Sequence, residues 1–276
     1  MNQKSTAIPK DVEAHYLETK ESERLSGVHG ELERLRTLEI LARVLPPAPA
    51  VIFDIGGAAG AYAFPLSEQG YVVHLIDPVE PHLEEAKARS ESSGIKLGSI
   101  TKGDACSLSA SSNSANAVLL LGPLYHLVER ADRLKALREA RRILKLHGVL
   151  IAAAISRFAS LIDGLARGFL RDADFRKIVA SDLATGQHRN PTAQTAYFTT
   201  AYFHRPEELA AEVREAGFAH IQLFAVEGPV WGAAHLGEAW DDPAQRKSLM
   251  EFLALIEREP SAHGASAHLL AVAHSS

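Results

Sequence analysis

An α/β fold, with a mostly parallel sheet and helices on both faces, is predicted by three observations. Short apolar runs alternate with amphipathic segments along most of the chain. The first run, Val51-Ile52-Phe53-Asp54-Ile55, ends in the cluster Gly56-Gly57-Ala58-Ala59-Gly60 and is followed by a helical stretch from Ala61 to Gln69. The second, Tyr71-Val72-Val73-His74-Leu75-Ile76, ends at Asp77, 23 positions beyond Asp54. Glycines at a strand-to-helix turn let the backbone bend sharply and approach a ligand, while the helix start offers unpaired N–H groups. A carboxylate closing the second strand can accept ribose hydroxyls. Together these features outline a nucleotide site.

Asp54 decides which nucleotide. An ionised carboxylate beside the glycine turn repels a pyrophosphate but attracts the ammonium group of S-adenosylmethionine (SAM), which carries no phosphate. Dinucleotide spacing also fits poorly, because counting from Gly56 the G-x-G-x-x-G positions are Gly56, Ala58 and Ala61. Here the chain resembles the class I SAM-dependent methyltransferases. Their acid-x-Gly-x-Gly-x-Gly pattern maps onto Asp54, Gly56, Ala58 and Gly60, with alanine in place of the middle glycine and an extra glycine at 57.

The order of later elements agrees. Leu97 to Thr101 reads as a third strand leading to Gly103-Asp104-Ala105, and Ala115 to Leu121 as a fourth ending in Gly122-Pro123. A helix with Leu134, Leu137, Ala140, Arg141 and Leu144 on one side precedes Lys145-Leu146-His147-Gly148 and a fifth strand, Val149 to Ile155. Pro206-Glu207-Glu208-Leu209 opens another helix, ended by Ala216-Gly217-Phe218, and His220 to Val226 reads as a sixth strand. The resemblance covers about 51–155 and 206–273. It implies a Rossmann-like seven-stranded sheet in a single domain over 1–276, with SAM as cofactor and S-adenosylhomocysteine as its product. It places Asp54, Gly56, Gly57, Gly60, Asp77, Pro78, Asp104, Ala105, Leu121 and Gly122 around the cofactor, Asp104 accepting from the adenine amino group.

Composition narrows the class. With 46% apolar residues among 276, the chain can fill one large core. A net charge of −5 supplies no basic surface for nucleic acid. No apolar run reaches a membrane span, and Met1-Asn2-Gln3-Lys4-Ser5 does not read as a signal peptide, so a cytoplasmic protein is expected. The single cysteine, Cys106, excludes an internal disulfide and reads as a packed residue.

Two segments lie outside the nucleotide-binding pattern. Residues 11–45 read as a charged helical lid, with Leu32, Leu35, Leu38 and Leu41 about a turn apart and Pro46-Pro47 stopping it. Its Tyr16, Arg24 and Arg36-Thr37 are candidates for contact with the cofactor or its carboxylate, ordinary surface ion pairing being the alternative. Residues 156–205 form an insertion of two apolar-striped helices, the loop Gly186 to Pro191 and the aromatic stretch Ala196 to His204. It suits a cap that excludes water, or a contact between two copies in a homodimer.

Methyl transfer is an in-line displacement that asks the protein mainly to align the acceptor and take its proton. The fourth strand ends at Gly122-Pro123-Leu124-Tyr125-His126, on the edge where open α/β sheets bind ligands. His126 is the candidate general base and Tyr125 the candidate orienting residue, with His188 and His204 behind them; a structural histidine bonded to a backbone carbonyl is the competing reading. The 13 histidines show no paired spacing with carboxylates, so no metal is expected. Three functions fit this pattern: a methyltransferase for a small-molecule acceptor, a SAM-binding regulator without catalysis, and a NAD-type oxidoreductase, the last disfavoured by Asp54 and the glycine spacing.

Overall fold

The computed structural model describes residues 27–192 and 194–276, together with Val12. Strands β1 (Val51–Ile55), β2 (Val72–Asp77), β3 (Ser99–Lys102), β4 (Ala115–Leu120) and β5 (Leu144–Ser156) are parallel, in the order β3-β2-β1-β4-β5. Beyond β5 run two antiparallel partners, β9 (His268–Ser275) and then β8 (Phe218–Ala225). The chain order reverses between β1 and β4. In such a sheet a crevice opens at the carboxyl ends of those two strands, and ligands bind there.

Alternation along the strands decides which helix covers which face. Leu150, Ala152 and Ala154 of β5 join a core with α5 (Arg130–Ile143) and α8 (Pro206–Glu215), through Ala136, Leu137, Ala140, Leu209 and Val213. Val149, Ile151 and Ala153 point the other way, into a core with Ile40 and Leu41 of α1 (Val28–Val44), Phe64 and Leu66 of α2 (Ala63–Glu68), and Leu83 and Ala86 of α3 (Glu80–Ser93). Both faces are covered, as a parallel sheet requires. Among the described residues no helix is long and apolar enough to cross a membrane.

The sheet has nine strands rather than the expected seven, because the insertion contributes two of its own. After α6 (Ala159–Ala166) and α7 (Ala173–Thr185), Gln187–His188 forms β6 and Ala201–His204 forms β7, an antiparallel ribbon. Strand β7 runs parallel to β5 at Ile155↔Phe203 and Ser156↔His204. At that level β9 holds the other side of β5, with Ile155↔His268, so β7 lies on the β4 side, past the point where β4 has ended. The ribbon therefore continues the sheet directly above the carboxyl end of β4. The aromatic stretch is a sheet edge for a physical reason: Phe203 and Ala201 are buried against Ile155 and Ala159.

Candidate functional site

The glycine turn after β1 is held by the end of β2. The Gly56 N–H donates to the Ile76 carbonyl at 2.7 Å, and the Ala58 N–H to Asp77 Oδ2 at 2.9 Å. Asp77 Oδ1 accepts from the Val79 N–H at 2.9 Å and faces His82 Nδ1 at 3.1 Å. One buried carboxylate thus fixes the turns after β1 and β2 relative to each other. A carboxylate offers about four acceptor directions, so Oδ2 keeps one for a ribose hydroxyl.

Two of the glycines are there because nothing larger fits. Gly56 has φ +69°, and a Cβ on it would stand 2.6 Å from the Pro123 ring that starts α4 (Pro123–His126). A Cβ on Gly57 would stand 2.7 Å from the Asp54 carboxyl carbon. Across the crevice, Gly122 approaches the Gly56 carbonyl oxygen so closely that a Cβ would lie 3.3 Å from it. The turns after β1 and β4 meet backbone to backbone, and both are half-buried rather than sealed. After β3, Asp104 caps its own turn, Oδ1 accepting from the Cys106 N–H at 2.8 Å, with Ala105 and Cys106 packed into the core behind it. Pro78 and Leu121, at the ends of β2 and β4, are half-buried on the same edge.

Asp54 lies beneath this turn, fully buried, and among the described residues neither oxygen has a partner at normal hydrogen-bond geometry, the Ala63 N–H being the one that faces it. Burial and then the nearby charge of Asp77 push its carboxyl up to about 7, opposed by the Ala63 N–H. A carboxyl raised in the folded state keeps its proton where the unfolded chain has lost it, so stability falls as pH rises from about 4 towards 7. Between pH 5 and 6 this one group should cost the protein about 1.4 kcal/mol. Asp54→Asn should flatten that stretch of the stability profile in urea titrations at the two pH values; an unaltered slope would assign the proton elsewhere.

His126 and Tyr125 sit where β4 opens into α4. Their rings meet edge to face at 4.7 Å, and the Tyr125 hydroxyl donates to the Leu121 carbonyl at 3.2 Å. His126 is buried, its Nδ1 3.4 Å from the Thr200 carbonyl oxygen and its ring 6.1 Å from Phe198, both in the segment leading into β7. The insertion and the end of β4 thus share one wall. His188 lies against the same Phe198, its ring 6.0 Å away, but both it and His204 are held in buried pairs. His188 Nδ1 lies 2.8 Å from Asp182 and its Nε2 2.8 Å from the Tyr197 carbonyl. His204 Nε2 faces Glu212 at 3.2 Å, and burial lowers its pKa.

Arg36, a candidate for contact with the cofactor, is engaged in a buried ion-pair cluster. Its guanidinium is fully buried, paired with Glu39, with Glu257 at 2.5 Å and with the Val226 carbonyl at 3.3 Å. It pins α1 to the end of β8 and to the stretch after α10 (Pro243–Ile256), and these bonds engage all three of its nitrogens. Tyr16 and Arg24 lie outside the described residues. Two groupings had no sequence signal. Arg133, Glu212 and His204 form a buried network behind α4, and Glu33, Glu227 and His268 converge at the carboxyl end of β5 from three separate elements.

Residues 53–152 match a family described as a methyltransferase domain, an interval running from β1 through the glycine turn to the middle of β5. No curated protein matches the sequence. Among solved structures, a SAM-dependent methyltransferase of Thermotoga maritima described as a possible histamine N-methyltransferase is 20% identical, with TM-score 0.58 over 96% of this chain and 100% of the other. A SAM-dependent methyltransferase of Methanosarcina mazei is 18% identical, with TM-score 0.56 over 86% and 96%. Phosphoethanolamine N-methyltransferase 2 of Haemonchus contortus, solved with S-adenosyl-L-methionine, is 16% identical, with TM-score 0.55 over 87% of this chain and 52% of its own. These likenesses show the fold, and the domain match falls on the strands and turns that form the crevice. Over residues 53–152 the chain is thus similar to the methyltransferase-domain family, and its fold is that of the SAM-dependent methyltransferases it resembles in structure.

Proposed function

We propose that the protein transfers a methyl group from SAM to a small-molecule acceptor in the cytoplasm, the acceptor lying between α4 and the β6–β7 ribbon. The observation that carries the acceptor class is the ribbon itself, which extends the sheet above the carboxyl end of β4 and brings Thr200 and Phe198 against His126. A crevice walled in this way suits a small molecule better than a folded macromolecule, and the net charge of −5 argues against a nucleic acid.

The residues present fit the cofactor. The crowded Gly56 and Gly57 leave only backbone at those two positions, Oδ2 of Asp77 retains an acceptor direction, and just beneath, Asp54 holds a carboxyl that is unpartnered among the described residues. Asp77 would hold the ribose, Asp104 with Ala105 the adenine, and Leu121 with Gly122 the far wall, while Asp54 acts on the ammonium through its charge. When bound, SAM supplies a methyl carbon already activated by a sulfonium. The chain's own task is then to align the acceptor beside Tyr125 and receive its proton at His126.

The acceptor class is tested by incubating the full chain with methyl-labelled SAM and, in parallel, panels of small amines, alcohols and thiols, total RNA and denatured protein. Label entering one small-molecule class is the expected result. Label entering only RNA or protein would overturn the acceptor assignment.

A further inference from the structure

We propose that Glu33, Glu227 and His268 form a binding site for a divalent transition-metal cation. This inference stands on their geometry and does not rest on the methyltransferase reading. The three side chains come from α1, from the turn after β8 and from the first residue of β9, and their ligand atoms all lie within 4.8 Å of one another. His268 Nδ1 is 2.6 Å from Glu227 Oε1 and 3.9 Å from Glu33 Oε2. A proton on that nitrogen can be given to one carboxylate only. A dication between the three serves both carboxylates and the imidazole at once.

Electrostatics favours such an occupant. The Glu227 side chain is fully buried and that of Glu33 is 11% exposed, so two like charges stand side by side with little water to screen them. The site is also oriented from behind, as metal ligands usually are. Glu227 Oε2 accepts from Ser266 Oγ at 2.9 Å and from the His268 N–H at 3.0 Å, leaving Oε1 aimed at the imidazole. Ser266 Oγ is in turn fixed by accepting the Glu227 and Gly228 N–H groups, each at 3.1 Å. The Trp231 ring meets His268 edge to face at 5.7 Å and walls one side. Two carboxylates with one imidazole suit Mn²⁺, Fe²⁺ or Zn²⁺, and three protein ligands leave room for a further ligand. His268 pairs with Ile155 at the carboxyl end of β5, so the site stands on the sheet edge that carries the cofactor turns, two strands from β4.

The experiment titrates the chelator-stripped full chain with Mn²⁺ and, separately, Zn²⁺ by calorimetry, with circular dichroism to confirm folding. One equivalent of at least one ion should bind, and Glu33→Gln and His268→Ala should each weaken it at least ten-fold. Ser266→Ala touches no ion and should weaken it by roughly ten- to a hundred-fold by freeing Glu227. No saturable binding of either ion would overturn the site. So would one-equivalent binding that survives both Glu33→Gln and His268→Ala, which would assign the ion to other histidines. S-adenosylhomocysteine affinity, measured on the same samples, separates failure of this site from failure of the cofactor site.

Discussion

Glu212→Ala should cost about 3–5 kcal/mol of stability, because it strands a buried guanidinium. Arg133 donates from Nε to Glu212 Oε2 at 2.9 Å and from Nη2 to Oε1 at 2.7 Å, and its side chain is 2% exposed. Its remaining nitrogen holds the Leu127 and Val128 carbonyls at 2.9 and 2.7 Å, and the Tyr202 ring lies 3.7 Å from its central carbon. Burial alone would raise the Glu212 carboxyl; hydrogen bonds from His204 and Arg133 overcome it and hold it down at about 2. A depressed carboxyl contributes stability above its unfolded value, and that contribution is lost as pH falls from about 4.5 towards 2. Urea unfolding at neutral pH measures the loss. A cost under about 1 kcal/mol would mean that solvent reaches Arg133 once its partner is gone. Because Arg133 also anchors the two residues that follow His126, the variant should loosen the acceptor wall as well as the fold.

His126→Ala should lower the single-turnover rate by about 10²–10⁴-fold and leave S-adenosylhomocysteine affinity nearly intact, if His126 takes the acceptor's proton. The geometry permits this, since a bond from Nδ1 to the Thr200 carbonyl leaves the proton-accepting role to Nε2. His126→Gln keeps part of the hydrogen bonding but cannot act as a base near neutral pH, so it separates placement from proton transfer. Near-normal rates in both variants would make His126 a structural residue that ties α4 to the insertion. Tyr125 would then be next to test, because His188 and His204 are held in buried pairs with Asp182 and Glu212.

How much was legible follows from the range over which each signal acts. Turn chemistry is local, so Asp54, Gly56, Gly57 and Gly60 could be read as a strand-to-helix turn, and Asp77 as the end of the next strand. Helix periodicity is local too: Leu137 and Ala140 face the core and Leu134 is buried, as their spacing requires. The ion pair of Arg36 was not legible because its partner Glu257 is 221 residues away, and an arginine near a ligand looks the same in sequence as one in a distant ion pair. The aromatic stretch around Tyr202 and Phe203 stands out in sequence without declaring a strand, because a four-residue strand that pairs with β5 at two positions has no periodicity of its own. Glu33, Glu227 and His268 come from α1, the turn after β8 and β9, and only the folded sheet brings them together.

On the proposed function, the turns after β1, β2, β3 and β4 bind the adenosyl cofactor. Calorimetric titration of S-adenosylhomocysteine into the wild type and Asp77→Ala tests it most directly. One site is expected in the wild type and a loss of roughly ten- to a hundred-fold in the variant, the cost of a charge-assisted hydrogen bond together with a slackened Ala58 turn. Equal affinity in a folded Asp77→Ala protein, or no binding to the wild type, would contradict it.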